Sequence, residues 1–147
     1  MEQVLVFALG DELYGLEVKN IQEVVEAPVL HYIPRADEHF SGAINFHGSI
    51  LPVLDLPAYL GFDSPARDPR IIVLVPELCS LALSATAIRR IRALDPEALL
   101  PSRGTSDTAY IRTVCNHDGE IINMLDTAPL LASLDETEKV TGGNDGA

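Results

Sequence analysis

The chain has 147 residues, 47% of them apolar, and its 22 acids against ten basic residues leave a net charge of −12. That is enough length and apolar content for one domain with a buried core, and too negative a surface for a nucleic-acid partner, whose phosphates it repels. No apolar run approaches the ~20 residues that span a bilayer, and nothing around Val4–Leu9 resembles a signal peptide; with only Cys79 and Cys115, a cytoplasmic protein with neither disulfides nor membrane insertion is expected.

Val4–Leu9 is an apolar run of strand length, and Gly10-Asp11 is a turn signal. Tyr14, Leu16 and Val18 then alternate with Gly15, Glu17 and Lys19, which predicts a hairpin with one wet face. Val18, Ile21 and Val25 fall at helical spacing, with Val24 beside them, so a short amphipathic turn or helix is expected next. Pro28 and Pro34 open an irregular connection. Ala43–Phe46 and Ser49–Leu54 read as two strands joined tightly at His47-Gly48, where Gly48 supplies the positive φ of such turns. Asp55 is placed to cap a short helix, Pro57–Leu60, stopped by Gly61. Asp63–Pro69, with two prolines and little apolar content, is the best boundary.

Beyond the boundary the pattern recurs. Ile72–Leu83 matches Leu5–Leu16 at an offset of 67 residues, and the same offset sets Ile88 on Ile21 and Ile91 on Val24. "HGSILPVLDLPAYL" (His47–Leu60) matches "DGEIINMLDTAPLL" (Asp118–Leu131) at an offset of 71. Two similar halves follow, about 1–65 and 66–134, within one domain spanning 1–134, with strands able to exchange between them. A half of that size with four or five short strands avoids exposed edges by closing into a small barrel. The expected fold is therefore all-β with short helices, two small barrels sharing an apolar seam. Val6, Leu16, Ile44, Ile50, Val53 and Leu54, with Val73, Leu83, Ile121, Ile122 and Leu125, are the expected core. The acidic, glycine-rich tail 135–147 has nothing to bury and reads as disordered.

Groups able to do chemistry are sparse. His31, His39, His47 and His117 lack cysteine or carboxylate neighbours at ligand spacing, so no metal or cofactor is expected. Cys115 and His117 are two apart but sit at a hairpin, which fits a buried thiol better than a nucleophile. Asp55 and Asp126 occupy equivalent places in the two halves, pointing to a shared capping role rather than an acid/base pair. Serine elbows and phosphate-cradling glycine patterns are absent. Arg89, Arg90 and Arg92 form the one basic cluster, with Arg103 and Arg112 further on; a solvated strand face is the plain reading and an acidic-partner patch the sharper one.

The segments "VLVFALGDELYGLEVKNIQEV" (Val4–Val24), "GAINFHGSILPVLDL" (Gly42–Leu56) and "YIRTVCNHDGEIINMLDTAPLL" together resemble the CheW-like family of chemotaxis coupling proteins. The resemblance covers most of the chain. It implies a pair of SH3-like five-stranded β-barrels, no catalysis, and an adaptor joining chemoreceptor cytoplasmic tips to a CheA-type histidine kinase at the receptor array. It also implies a partner-binding surface built from Val18, Ile21 and Glu23 together with Asn45, Phe46, His47 and Gly48. Two departures stand out. His47 replaces the family's arginine before the turn glycine, and Ser84–Ile88 lacks the acidic residue of the usual V-D-x-V. Two alternatives follow: a diverged scaffold serving another signalling assembly, and a small-ligand sensor or enzyme using the groove between the barrels with His47 as acid or base.

Overall fold

The computed structural model describes residues 2–34, 37–101 and 110–142. Among the described residues eleven strands carry the fold: β1 (Glu2–Leu9), β2 (Glu12–Glu17), β3 (Ile21–Val25), β4 (Phe40–Phe46), β5 (Ser49–Asp55), β6 (Ile71–Leu74), β7 (Ala82–Ser84), β8 (Ala87–Leu94), β9 (Leu99–Pro101), β10 (Ile111–His117) and β11 (Glu120–Leu125). The α-helices α1 (Leu56–Tyr59) and α2 (Thr127–Gly142) follow the last strands of the two halves. The strands form a six-stranded sheet, β8-β1-β2-β11-β10-β9, and a five-stranded sheet, β3-β6-β7-β5-β4. Each sheet thus mixes the two halves of the sequence. The first hairpin, β1–β2, lies among strands of the second half, and β6–β7 lies among strands of the first.

The pairing registers repeat at the two offsets visible in the sequence. Leu5 faces Ile91 in one sheet, and Val24 faces Ile72 in the other. Both interfaces carry a bulge at the same place, between Val6 and Phe7 against β8 and between Ile21 and Glu23 against β6. The parallel pairs repeat as well: Met124 faces Gly15 and Val53 faces Ala82. The extra strand β9 pairs with β10; at the matching site of the first half, His31 forms an isolated bridge with Ala43.

Among the described residues, three apolar clusters account for the burial. One lies against the six-stranded sheet: Val4, Val6, Leu94, Cys115, Ile122 and Met124. A second lies against the five-stranded sheet: Ile44, Leu51, Val53, Ile71, Val73 and Ala82. The third, with Leu5, Phe7, Leu9, Leu54, Ile72 and Leu83 among its members, is the seam between them. Alternate residues of one strand feed different clusters because side chains along a strand alternate faces. Hence Val4–Leu9 and Ile71–Leu74 are buried without interruption, each strand being covered on both sides.

That double coverage corrects three expectations. β2 does not keep a wet face: Tyr14 and Leu16 join the seam cluster, and Gly15 between them lies against the side chains of Val4, Ile122 and Met124. Gly15 permits this, since a Cβ there would sit 2.7 Å from Val4 Cγ1 and 2.8 Å from Met124 Sδ. The helical spacing of Val18–Val25 produces only a 3-10 turn, Val18–Asn20, before β3; pairing with β6 overrides the local pattern. Ile50 and Ile121 are 66% and 57% exposed rather than core. They are equivalent residues at the starts of β5 and β11, and the inward positions there belong to Leu51 and Ile122. The remaining expected core residues are buried.

Helix ends also differ from the sequence expectation. Asp55 occupies the N-cap position of α1 but makes no side-chain cap bond. Its carboxylate instead accepts from Arg67 Nε at 2.7 Å, anchoring the connection between the halves. Gly61 ends the helix at φ 87° as expected. α2 continues through the stretch after Leu134 as far as Gly142 rather than giving way to disorder at Asp135; Glu and Lys are good helix formers even without an apolar face. Residues 143–147 lie outside the described residues.

Candidate functional site

The hairpin β4–β5 turns on two residues, His47 and Gly48, at φ 50° and 87°. Positive φ at both central positions is the turn whose twist matches the flanking strands. The equivalent hairpin β10–β11 repeats it with Asp118 and Gly119, at 52° and 83°. Glycine takes this conformation freely, while His and Asp tolerate it better than bulky residues do. The turn is tied by Asn45, whose Oδ1 accepts from the Gly48 N–H at 3.0 Å. The Phe46 ring packs on the His47 ring with centroids 4.3 Å apart, which orients the imidazole.

Across from the turn lies Glu23 of β3, its Oε1 3.7 Å from His47 Nε2. β3 and β4 are the two ends of the five-stranded order, so this contact shows the sheet curling until its terminal strands meet at one mouth. At that distance the groups are in ion-pair reach only, and the attraction exists when the imidazole is protonated. Both side chains are well exposed, so the pair adds little to stability. What it supplies is a polar, hydrogen-bonding spot on the rim.

Glu23, Asn45, Phe46, His47 and Gly48 therefore come together. Ile21 does not join them: it is half-buried and packed against the seam, facing Leu74, whereas Glu23 faces Val73. The bulge between Ile21 and Glu23 turns residues two apart, which ordinarily share a face, onto opposite faces. Val18, in the 3-10 turn before β3, is half-buried. The residue that sequence reasoning missed is Ile50, cross-strand partner of Asn45 and highly exposed. The signal was available: Leu51 and Val53 point inward, so Ile50 must point out. Beside β4, the segment tied by the His31–Ala43 bridge exposes Val29 at 72% and Tyr32 at 85%, adding apolar surface near the hairpin.

The other candidate groups are placed elsewhere. Cys115 is buried, and desolvation pushes its thiol upward, away from nucleophilic character. Among the described residues no group of three or more His, Cys, Asp or Glu could hold a metal ion, and no helix is long and apolar enough to cross a membrane. His39 Nδ1 contacts Asp37 Oδ1 at 2.9 Å, away from the hairpin tip. Of the basic cluster, Arg90 and Arg92 both reach Glu120, at 3.9 and 3.0 Å. Arg112 pairs with Glu17 at 2.6 Å, and Arg103 lies outside the described residues.

Comparison with known proteins gives a consistent result. The model of the CheW-like domain family matches residues 3–135. Protein FrzA of Myxococcus xanthus is 30% identical over 139 residues, covering 88% of this chain and 85% of that protein. Chemotaxis protein CheW of Treponema pallidum (strain Nichols) is 33% identical over 54 residues, 37% of this chain and 32% of that protein. Among solved structures, the scaffolding protein TtCheW from Thermoanaerobacter tengcongensis superposes with a TM-score of 0.77 at 28% identity, covering 84% of this chain and 88% of that one.

Proposed function

This chain belongs to the CheW-like domain family, and on that premise we propose that it is a non-catalytic coupling adaptor of bacterial chemosensory signalling. It joins the cytoplasmic tips of chemoreceptors to the regulatory domain of a CheA-type histidine kinase, and works in the cytoplasm at the receptor array. The observation that carries the reading is the family match across residues 3–135, which takes in both sheets and the hairpin. The likeness to a scaffolding protein over 84% of the chain supports it.

The hairpin rim is the proposed contact: Glu23, Asn45, Phe46, His47 and Gly48, with Ile50 as the apolar anchor beside them. Interfaces of this type draw their energy from a few buried apolar anchors, and rim charges set rate and specificity. A second reading, a diverged scaffold serving another signalling assembly, is favoured by one observation. His47 stands where the family pattern has arginine, exchanging a permanent planar fork for a ring that is charged only when protonated.

The test is co-purification of the tagged chain from its native cells, followed by titration against a receptor-tip fragment and the kinase regulatory domain. Recovery of both partners supports the adaptor. Recovery of a kinase without any chemoreceptor selects the diverged scaffold, and recovery of neither sinks both.

A further inference from the structure

The two hairpin mouths are pseudo-equivalent, yet their chemistry is reversed. At the offset of 67, Arg89, Arg90 and Arg92 of β8 take the places of Gln22, Glu23 and Val25 of β3. At the offset of 71, Asp118 and Glu120 take those of His47 and Ser49. Arg90 and Arg92 face Val6 and Val4 across the β1–β8 interface, and both of those valines belong to the cluster inside the six-stranded sheet. The two guanidinium stems thus lean over that sheet's inner face. Arg92 is drawn in furthest, its side chain only 13% exposed.

The position does not require a cation. Its equivalent, Val25, packs against the apolar cluster of the other sheet, so the fold accepts a plain aliphatic residue there. Placing arginine instead leaves a cost: among the described residues, the buried Arg92 Nη1 finds no acceptor. An unsatisfied buried donor destabilises the fold, and more so when it is charged. Glu120 answers only Nη2, at 3.0 Å, and is shared with Arg90 at 3.9 Å. Arg92 also lines an open depression of about 610 Å3, floored by Val6 and Leu13 and rimmed by the three arginines, Asp11 and Glu120. Three cations against two carboxylates leave this mouth positive on a chain of net charge −12.

We propose that this depression at the mouth of the six-stranded sheet is a docking pocket for an acidic, extended segment of a partner protein, whose carboxylates pair with the guanidinium groups of Arg90 and Arg92. Guanidinium and carboxylate match in geometry and charge. Arg90 and Arg92 lie two residues apart on one strand face, the spacing at which an extended segment presents carboxylates at i and i+2. The apolar floor favours a peptide with aliphatic neighbours over a bare inorganic anion. The proposal uses the adaptor reading only in expecting a protein segment, and binding measured on the isolated chain is decided separately from co-purification with kinase or receptor.

The experiment titrates the full chain, labelled with 15N and methyl 13C, with the blocked peptide Ac-Val-Glu-Leu-Glu-Val-NH2, its glutamine counterpart, and inorganic phosphate. The expected result is displacement of the Arg92 Nε–H, Val6 methyl and Leu13 methyl signals by the acidic peptide, with affinity at least about tenfold weaker for the glutamine peptide. Arg92→Val, which installs the residue of the equivalent position, should keep the fold and lose that binding. Arg90→Gln, at a site exposed enough to leave the fold alone, should weaken it severalfold, so an unfolded Arg92→Val would not shelter the proposal. Phosphate displacing the same signals as tightly as the peptide would overturn it in favour of a generic anion hole. Self-association abolished by Arg92→Val would overturn it in favour of a second copy, and no displacement by any probe would overturn it outright.

Discussion

Replacing Asp68 by asparagine tests how the connection between the halves holds the two sheets together. Asp68 sits in the irregular stretch before β6, where its backbone N–H donates to Ala85 O at 2.9 Å. Its carboxylate, only 8% exposed, accepts from the N–H of Ile88 at 2.7 Å, from the N–H of Arg70 at 2.9 Å, and from the Arg70 guanidinium at 2.9 and 3.0 Å. One carboxylate thus secures the start of β8 and the entry to β6. These donors, the Arg70 side chain foremost, hold the Asp68 carboxyl down at about 2, from an ordinary 3.8. That depression is equivalent to about 2 kcal/mol of stability in the ionised form. Asparagine keeps one acceptor oxygen for Ile88 but turns an amide toward the guanidinium, so Asp68→Asn should cost about 2 kcal/mol at pH 7. Because the folded carboxyl titrates below the unfolded one, its contribution is complete above about pH 4 and fades as pH falls toward 2; about half is gone at pH 3. Urea melts of both proteins at pH 7 and pH 3 read this directly. A gap under about 0.5 kcal/mol at pH 7, or one that does not narrow at pH 3, would refute the pinning role.

Other outcomes follow from the packing and from the rim. Leu54→Ala and Leu125→Ala, equivalent residues of the seam that are 0% and 5% exposed, should each cost about 2–5 kcal/mol in denaturant melts. Gly15→Ala should cost about 1–3 kcal/mol through overpacking against Val4 and Met124; an unchanged midpoint would mean that β2 and β11 are not held this closely. His47→Arg should leave stability unchanged at so exposed a turn. It should strengthen binding to a receptor-tip fragment by about 1–2 kcal/mol, about fivefold to thirtyfold by calorimetric titration; equal affinities of wild type and variant for both the receptor and the kinase fragment would remove His47 from the interface.

Much of this architecture is written locally. Strands such as Val4–Leu9 and Ser49–Leu54, the His47-Gly48 turn, and the duplication at offsets of 67 and 71 are all readable, because pleat period and turn chemistry act over a few residues. The rim site is readable in part for the same reason: Asn45–Gly48 is contiguous, and Glu23 enters through the family resemblance. Tertiary structure decided the rest. Ile21–Val25 became a strand because β6 offers it hydrogen bonds, which helical spacing cannot foresee. Asp55 serves Arg67, twelve residues on, rather than its own helix. A bulge between Ile21 and Glu23 sent one inward to the seam and left the other on the rim, and strand parity put Ile50 and Ile121 in solvent. The exchange of β1–β2 and β6–β7 between sheets has the same origin. Pairing energy depends on which strand lies alongside, and a repeated sequence presents two nearly equivalent neighbours, so only the closure of both sheets around one shared seam selects between them.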